Sequence, residues 1–100
     1  VDSDSTSLSV SVVDVPEFIS TGANTFTFNL DASGDVTVSY GAISATDGLA
    51  GVTEGNGAAD PGPTDLSAAP SLSAAGTTYE QFDGGNPNDL ELEVLEYISP

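Results

Sequence analysis

The chain has 100 residues, of which 16 are acidic and none is Lys, Arg, His or Cys, so its formal charge at pH 7 is −16. A chain of this length forms one domain with a small core, because it buries only about two thirds of the surface of the unfolded chain. Without basic side chains it lacks the groups that bind nucleic-acid phosphates or anionic membranes, and without His or Cys it lacks the usual catalytic bases and zinc ligands.

The first predicted element is an N-terminal strand in SLSVSVVDV, residues 7–15. Its apolar positions alternate up to Val12 and then change face at Val13. A β-bulge, or a strand that crosses between two sheets of one domain, would produce this change. A strand donated to a neighbouring subunit, with one face in each subunit, would produce it as well. The predicted interface residues are Leu8, Val10, Val12, Val13 and Val15.

A β-hairpin is predicted in FTFNLDASGDVTVSY, residues 26–40. Apolar residues occupy alternate positions on both arms, and Gly34 stands in the turn, where a positive φ is needed. Thr, Asn and Ser fill the intervening positions, which predicts a sheet with one solvated face. The apolar residues of the two arms are Phe26, Phe28, Leu30, Val36, Val38 and Tyr40.

The middle of the chain, residues 44–76, is rich in Gly, Pro and Ala and has few large apolar side chains. A structureless segment of this length is unusual in a compact domain. We therefore expect Leu49, Val52, Leu66 and Leu72 to anchor it through short strands or turns.

Two further strands are predicted towards the C-terminus. The first covers about residues 77–83, marked by Tyr79 and Phe82. The second lies in DLELEVLEYIS, residues 89–99, where Leu90, Leu92 and Val94 alternate with glutamates, although a short helix also fits this stretch. The whole pattern predicts an all-β fold, an antiparallel β-sandwich of immunoglobulin-like or jelly-roll type, as a single domain over residues 1–100.

Calcium is the cofactor that the residue types favour most, because it binds six to eight oxygen ligands. The loop DGGNPND offers Asp83, Asn86, Asn88 and Asp89 as a weak calcium site. The same residues are typical of turns, and this second interpretation is favoured. No residue pattern indicates catalysis, so we expect the protein not to be an enzyme.

The segment Ser20–Asp31, STGANTFTFNLD, resembles the NTFTAGTLDL type of segment in secreted TasA and camelysin-like matrix-fibre proteins. The match covers about 12 residues and departs where that family has AGT. In that family the segment lies close to the mature N-terminus, whereas about 20 residues precede it here. The resemblance implies a β-sandwich that polymerises by donating an N-terminal strand.

These observations favour a secreted, acidic subunit of an extracellular filament, pilus or biofilm-matrix fibre in a saline, halophilic setting. Copies of the chain would form a homopolymer by donor-strand complementation of residues 1–15, because covalent isopeptide and disulfide assembly need Lys or Cys. Five predicted strands are fewer than the seven of a closed sandwich, which leaves an open edge. The alternative is a monomeric acidic cell-surface or adhesin module of immunoglobulin-like type, stabilised by calcium. We expect no nucleic-acid partner and no membrane insertion.

Overall fold

The structure is a computed structural model that describes residues 2–3, 6–17, 21–68 and 71–100. This part of the chain is all-β, with eight strands and one short 3-10 helix. The strands are β1 (Asp2–Ser3), β2 (Ser7–Glu17), β3 (Thr21–Asp31), β4 (Val36–Ile43), β5 (Gly48–Thr53), β6 (Ser71–Ser73), β7 (Thr77–Phe82) and β8 (Val94–Ile98), and the 3-10 helix is Leu66–Ala68.

The strands form two packed sheets, as predicted for a β-sandwich. The large sheet has the strand order β1-β2-β3-β4-β8-β6, and the small sheet contains β5 and β7. All pairings are antiparallel except that of β6 with β8, which is parallel. The predicted single sandwich is therefore confirmed, with strands divided unequally between its two layers.

The predicted hairpin is formed by β3 and β4. Phe26 pairs with Tyr40 and Phe28 with Val38, so the apolar residues of both arms share one face. Gly34 has a φ of +96° in the turn, as its position predicts. The turn is closed by the Asp31 N–H, which donates to the carbonyl of Asp35 at 3.1 Å.

One face of the large sheet is apolar from β2 to β6, because directly paired residues on neighbouring strands point to the same side. The opposite face carries hydroxyl and amide side chains, and there the Ser9 hydroxyl donates to Asn29 Oδ1 at 2.9 Å. The apolar face consists of Leu8, Val10 and Val12 on β2, Phe26, Phe28 and Leu30 on β3, Val36, Val38 and Tyr40 on β4, Leu95 and Tyr97 on β8, and Leu72 on β6.

The closed core lies between β4, β8 and the small sheet. Ala50 and Val52 of β5 and Phe28 of β3 pack against it without being fully buried. No fully buried core residue among those described lies on β2 or β3. The core residues are Val38, Leu66, Phe82, Leu90, Leu95 and Tyr97, each no more than 5% exposed.

The C-terminal strand is shorter than predicted. It begins at Val94, and the preceding residues form a turn closed by the Glu93 N–H, which donates to the Leu90 carbonyl at 2.9 Å. Leu90 is buried, but Leu92 has a φ of +63° and is 77% exposed, so the predicted common face of Leu90, Leu92 and Val94 is wrong. The turn changes which side chains point inward, and Leu95 takes the core position on β8.

The middle segment is anchored much as predicted, with one exception. Leu66 is fully buried in the 3-10 helix, Leu72 lies on β6 and Val52 points inward from β5. Leu49 lies on β5 but is 72% exposed, so it does not anchor the segment to the core. It points outward because Ala50 and Val52 take the inward positions of this strand.

The face change at Val12 and Val13 is a β-bulge in the pairing of β2 with β3. The register is regular from Ser7 to Val12 and shifts before Val15. Asp14 in the bulge has a φ of +53°, and its N–H donates to the Thr25 hydroxyl at 3.0 Å. Because of the extra residue, Val15 pairs with Asn24 and lies on the same face of the sheet as Val12, whereas Val13 points to the other face.

Candidate functional site

The small sheet covers only part of the large sheet's apolar face. The two strands of the small sheet lie opposite the six strands of the large sheet, and they cover its apolar face only as far as β4 and the near side of β3. On the uncovered side Leu8 is 36% and Leu30 is 43% exposed, and the aromatic residues Phe26 and Phe28 are only half-buried. The sandwich is therefore incomplete over β2 and the outer part of β3.

A groove with a volume of about 360 Å³ runs between this uncovered face and β5. We call it the open groove. Its aromatic wall is continuous, since the ring centroids of Phe26 and Phe28 are 5.3 Å apart and those of Phe26 and Tyr40 are 6.2 Å apart. The residues that line it include Val12, Phe26, Phe28, Tyr40, Ala50, Phe82 and Tyr97, with Asp47 at its rim.

One wall of the open groove is the free edge of β5. Gly51 lies opposite Tyr79 of β7, and the Tyr79 carbonyl accepts a hydrogen bond from the Thr64 N–H at 2.7 Å, away from β5. In an antiparallel ladder, a carbonyl that points away from the neighbouring strand belongs to a non-hydrogen-bonded pair, and such pairs alternate with hydrogen-bonded ones. Gly51 is in such a pair with Tyr79, and Leu49 and Thr53 occupy the equivalent positions, so the backbone N–H and C=O groups of these three residues face away from β7. No described strand pairs with this edge.

Tyr97 is one of the residues that line the groove, and it carries a buried hydroxyl. The residue is 1% exposed, and its hydroxyl has no hydrogen-bond partner among the described residues. Burial, together with the nearby Tyr40 hydroxyl, raises the pKa of Tyr97 above its ordinary value. A buried hydroxyl without a partner costs about 1–3 kcal/mol.

The predicted interface residues all lie on β2, which pairs with β3 of the same chain. Leu8, Val10 and Val12 lie opposite Leu30, Phe28 and Phe26 and share the apolar face. Because of the bulge Val13 is separated from them and is 64% exposed, and Val15 is 45% exposed. None of the five interface residues Leu8, Val10, Val12, Val13 and Val15 is fully buried.

The predicted calcium residues serve the turn that follows β7. Asp83 Oδ1 accepts the N–H groups of Gly85 and Asn86, each at 2.9 Å. Asn86 Nδ2 donates to the Gln81 carbonyl at 2.9 Å, and Asn88 Oδ1 accepts the Leu90 N–H at 2.9 Å. These contacts are typical of turns, the interpretation that the sequence favours.

Asp89 lies instead beside Asp65 and Glu80, with carboxylate oxygens within 4.8 Å of one another. Glu80 is buried, and its two oxygens accept from the Leu66 N–H and from Asn86 Nδ2. The Ser67 hydroxyl lies 2.8 Å from Asp65 Oδ1 and 3.0 Å from Asp89 Oδ2. This group was not predicted from the sequence; only the inward position of Glu80, which alternates with that of Phe82 on β7, has a local signal.

No family model, curated protein or solved structure matches this chain. Among the described residues, no helix is long and apolar enough to cross a membrane.

Proposed function

We propose that this protein is the structural subunit of an extracellular filament, pilus or biofilm-matrix fibre, in which a strand from residues 1–15 of one copy completes the sandwich of the next. The observation that carries the proposal is the open groove beside the free edge of β5. An apolar sheet face next to unpaired backbone groups is a site for an additional strand.

β2 is suited to donation because the closed core does not depend on it. The six buried apolar residues of the core lie on other parts of the chain, and among the described strands β2 pairs only with β3 and the two-residue β1. Detaching β2 costs its pairing with β3. Pairing in a neighbouring subunit would replace that contact with another of the same kind.

The charge of the chain supports a saline working environment. Two subunits of charge −16 repel each other, and no described or undescribed residue of the sequence carries a basic side chain to offset this. Salt shortens the Debye length to about 8 Å at 0.15 M and less above that, so assembly is expected to require salt.

Electron microscopy of the purified protein in high salt tests the proposal. The full chain should form regular filaments, and a chain without residues 1–12 should not. Val10→Asp and Ser11→Asp form a matched pair, since both add one acid to β2 but on opposite faces. We expect Val10→Asp to abolish filaments and Ser11→Asp to retain them, with circular dichroism showing that both variants fold.

Filaments that persist without residues 1–12 would contradict strand donation from this end of the chain. A full chain that stays monomeric at every salt concentration would contradict the filament itself, and would favour the monomeric cell-surface module.

A further inference from the structure

A second concave site lies on the outer face of the small sheet, the face turned away from the core. Its volume is about 430 Å³, which is within the range of small-molecule sites in proteins. It shares only Leu49 and Gly51 with the open groove. We call it the outer pocket. The residues that line it are Leu49, Gly51, Val52 and Thr53 of β5, Thr77 and Tyr79 of β7, and Ala58 and Asp60 of the loop that follows β5.

Strand alternation brings the apolar side chains of the outer pocket together. Ala50 and Val52 of β5 pack towards the core, so their neighbours along the strand point outward. Gly51 lies directly opposite Tyr79 of β7 and contributes no side chain of its own to this face. Leu49, on the same face, is 72% exposed. The pocket therefore offers a ligand one aliphatic side chain and one aromatic ring.

Asp60 is the charged residue of the outer pocket. Its Oδ1 accepts hydrogen bonds from the Gly62 N–H and from the Tyr79 hydroxyl, each at 2.8 Å. These two hydrogen bonds lower the pKa of Asp60, so the carboxylate is ionised at neutral pH. They use the same oxygen, and the other oxygen accepts no hydrogen bond from the described part of the chain. A fixed negative charge thus stands beside the tyrosine ring.

The hydroxyl groups of the outer pocket already have partners. The Oγ1 atoms of Thr53 and Thr77 are hydrogen-bonded to each other at 2.8 Å, and Thr53 Oγ1 also accepts the Gly55 N–H at 3.0 Å. The Tyr79 hydroxyl donates to Asp60. A sugar needs several polar partners, whereas this pocket combines apolar side chains with one carboxylate. It therefore suits a ligand that has a single charged group on an apolar body.

The charge of the chain decides the sign of that group. The sequence has no basic residue and a formal charge of −16, so an anion would be repelled and would find no counter-charge. A cation is attracted both by a carboxylate and by the face of a tyrosine ring within about 6 Å of its centroid. We infer that the outer pocket binds an organic cation, with its ammonium group at Asp60 and Tyr79 and its apolar part against Leu49. This inference goes beyond the proposed function, because it involves neither residues 1–15 nor assembly.

Choline and its uncharged carbon isostere, dimethylbutanol, are a matched pair of probes, because they have nearly the same shape and only choline carries a charge. Each is titrated into the isotope-labelled full chain at low ionic strength, where repulsion opposes assembly. Choline chloride replaces sodium chloride, so the ionic strength stays constant. Choline should shift the amide NMR signals of residues 49–53, 58–62 and 77–79 in a saturable way. The alcohol should bind about threefold more weakly or worse, because it lacks the cation–π attraction.

Three variants test the residues that carry the inference. Asp60→Asn removes the charge and keeps an acceptor for the Tyr79 hydroxyl, so it should weaken choline binding about two- to fivefold and leave binding of the alcohol unchanged. Glu91→Gln removes one exposed charge outside the pocket and should leave both affinities unchanged. Tyr79→Leu keeps an apolar side chain without the ring and should also weaken choline binding. It decides the question if Asp60→Asn does not fold.

Equal affinities for choline and the alcohol would overturn the inference, because the ammonium group would then contribute nothing. Equal losses in Asp60→Asn and Glu91→Gln, or shifts spread over all acidic parts of the surface, would show diffuse attraction of counter-ions and would overturn it too. The absence of any saturable shift would have the same meaning. These measurements do not depend on filaments, so this inference and the proposed function fail separately.

Discussion

The backbone N–H of Leu66 donates a hydrogen bond of 3.0 Å to Oε1 of Glu80, and both residues are buried. The second oxygen of Glu80 accepts from Asn86 Nδ2 at 3.1 Å. A single carboxylate thus ties β7 to the 3-10 helix and to the turn that follows β7. It does so in a chain that offers no basic side chain as a partner.

Glu80→Ala should therefore be among the most destabilising single substitutions. It leaves the buried N–H of Leu66 without an acceptor, and hydrogen bonds to charged groups contribute about 1.5–3 kcal/mol each, so we expect a loss of about 2–4 kcal/mol. Glu80→Gln keeps one acceptor oxygen and should lose less. Urea unfolding measures both, with the exposed Glu91→Ala as the control for removing one charge. Equal stabilities of Glu80→Ala and Glu91→Ala would contradict the structural role of Glu80.

Gly51→Ala should destabilise the small sheet. Gly51 has a φ of +155°, and a Cβ there would overlap the Thr78 carbonyl and lie 2.7 Å from Tyr79 Cα. We expect a loss of more than about 1 kcal/mol, because neither the backbone conformation nor the space suits a side chain. Gly84→Ala is the matched control, since a Cβ at Gly84 meets nothing within 4 Å. Similar melting temperatures for the two variants would show that β5 and β7 are not this close.

Tyr97→Phe should leave the free subunit as stable as before or more stable. It removes a buried hydroxyl that has no partner, whose burial costs about 1–3 kcal/mol, and keeps the ring in the core. Urea unfolding at low protein concentration measures the change, with Tyr97→Leu as a comparison that loses ring volume and should be destabilised. A marked loss of stability in Tyr97→Phe would mean that the hydroxyl is hydrogen-bonded in solution.

The melting temperature should rise with salt. The Debye length falls from about 30 Å at 0.01 M to about 8 Å at 0.15 M ionic strength, which screens the repulsion among 16 acidic residues. Sodium and potassium chloride should act alike at equal ionic strength, because screening does not depend on the monovalent cation. A melting temperature that stays constant across this range would contradict the prediction.

Asp31 should titrate below its ordinary value in the hairpin turn. Its carboxylate accepts hydrogen bonds from the Ser33 hydroxyl and from the Ser33 N–H, and these lower the pKa of Asp31. The stabilisation is present above the pKa of the unfolded chain and is lost as the pH falls through the lower, folded pKa. Ser33→Ala should raise the pKa of Asp31 back towards 3.8, measured by NMR titration of the carboxyl carbon. An unchanged value would contradict the role of the Ser33 hydroxyl.

The sequence predicted the elements in which local pattern and structure agree. The β3–β4 hairpin has alternating apolar residues and a turn glycine, and both are properties of a few neighbouring residues. The strand β7 was predicted for the same reason. The all-β sandwich follows from several such segments separated by turn residues.

The sequence did not predict the features that depend on distant contacts. Leu92 continues the alternation of Leu90 and is nonetheless exposed, because the turn before β8 changes the inward positions. The division of strands between the sheets, and with it the open groove, depends on how β5 and β7 pack against β4 and β8. The approach of Asp89 to Glu80 likewise joins segments whose local sequence carries no sign of the contact.

The free edge of β5 lies between two like charges, since Asp47 precedes the strand and Glu54 follows it. Many proteins protect such edges with lysine, a residue absent from this chain. The barrier to pairing at this edge is therefore electrostatic, and its height is set by the ionic strength of the medium. If another chain pairs at this edge as we propose, we expect dilution into fresh water to disfavour that pairing and concentrated salt to favour it.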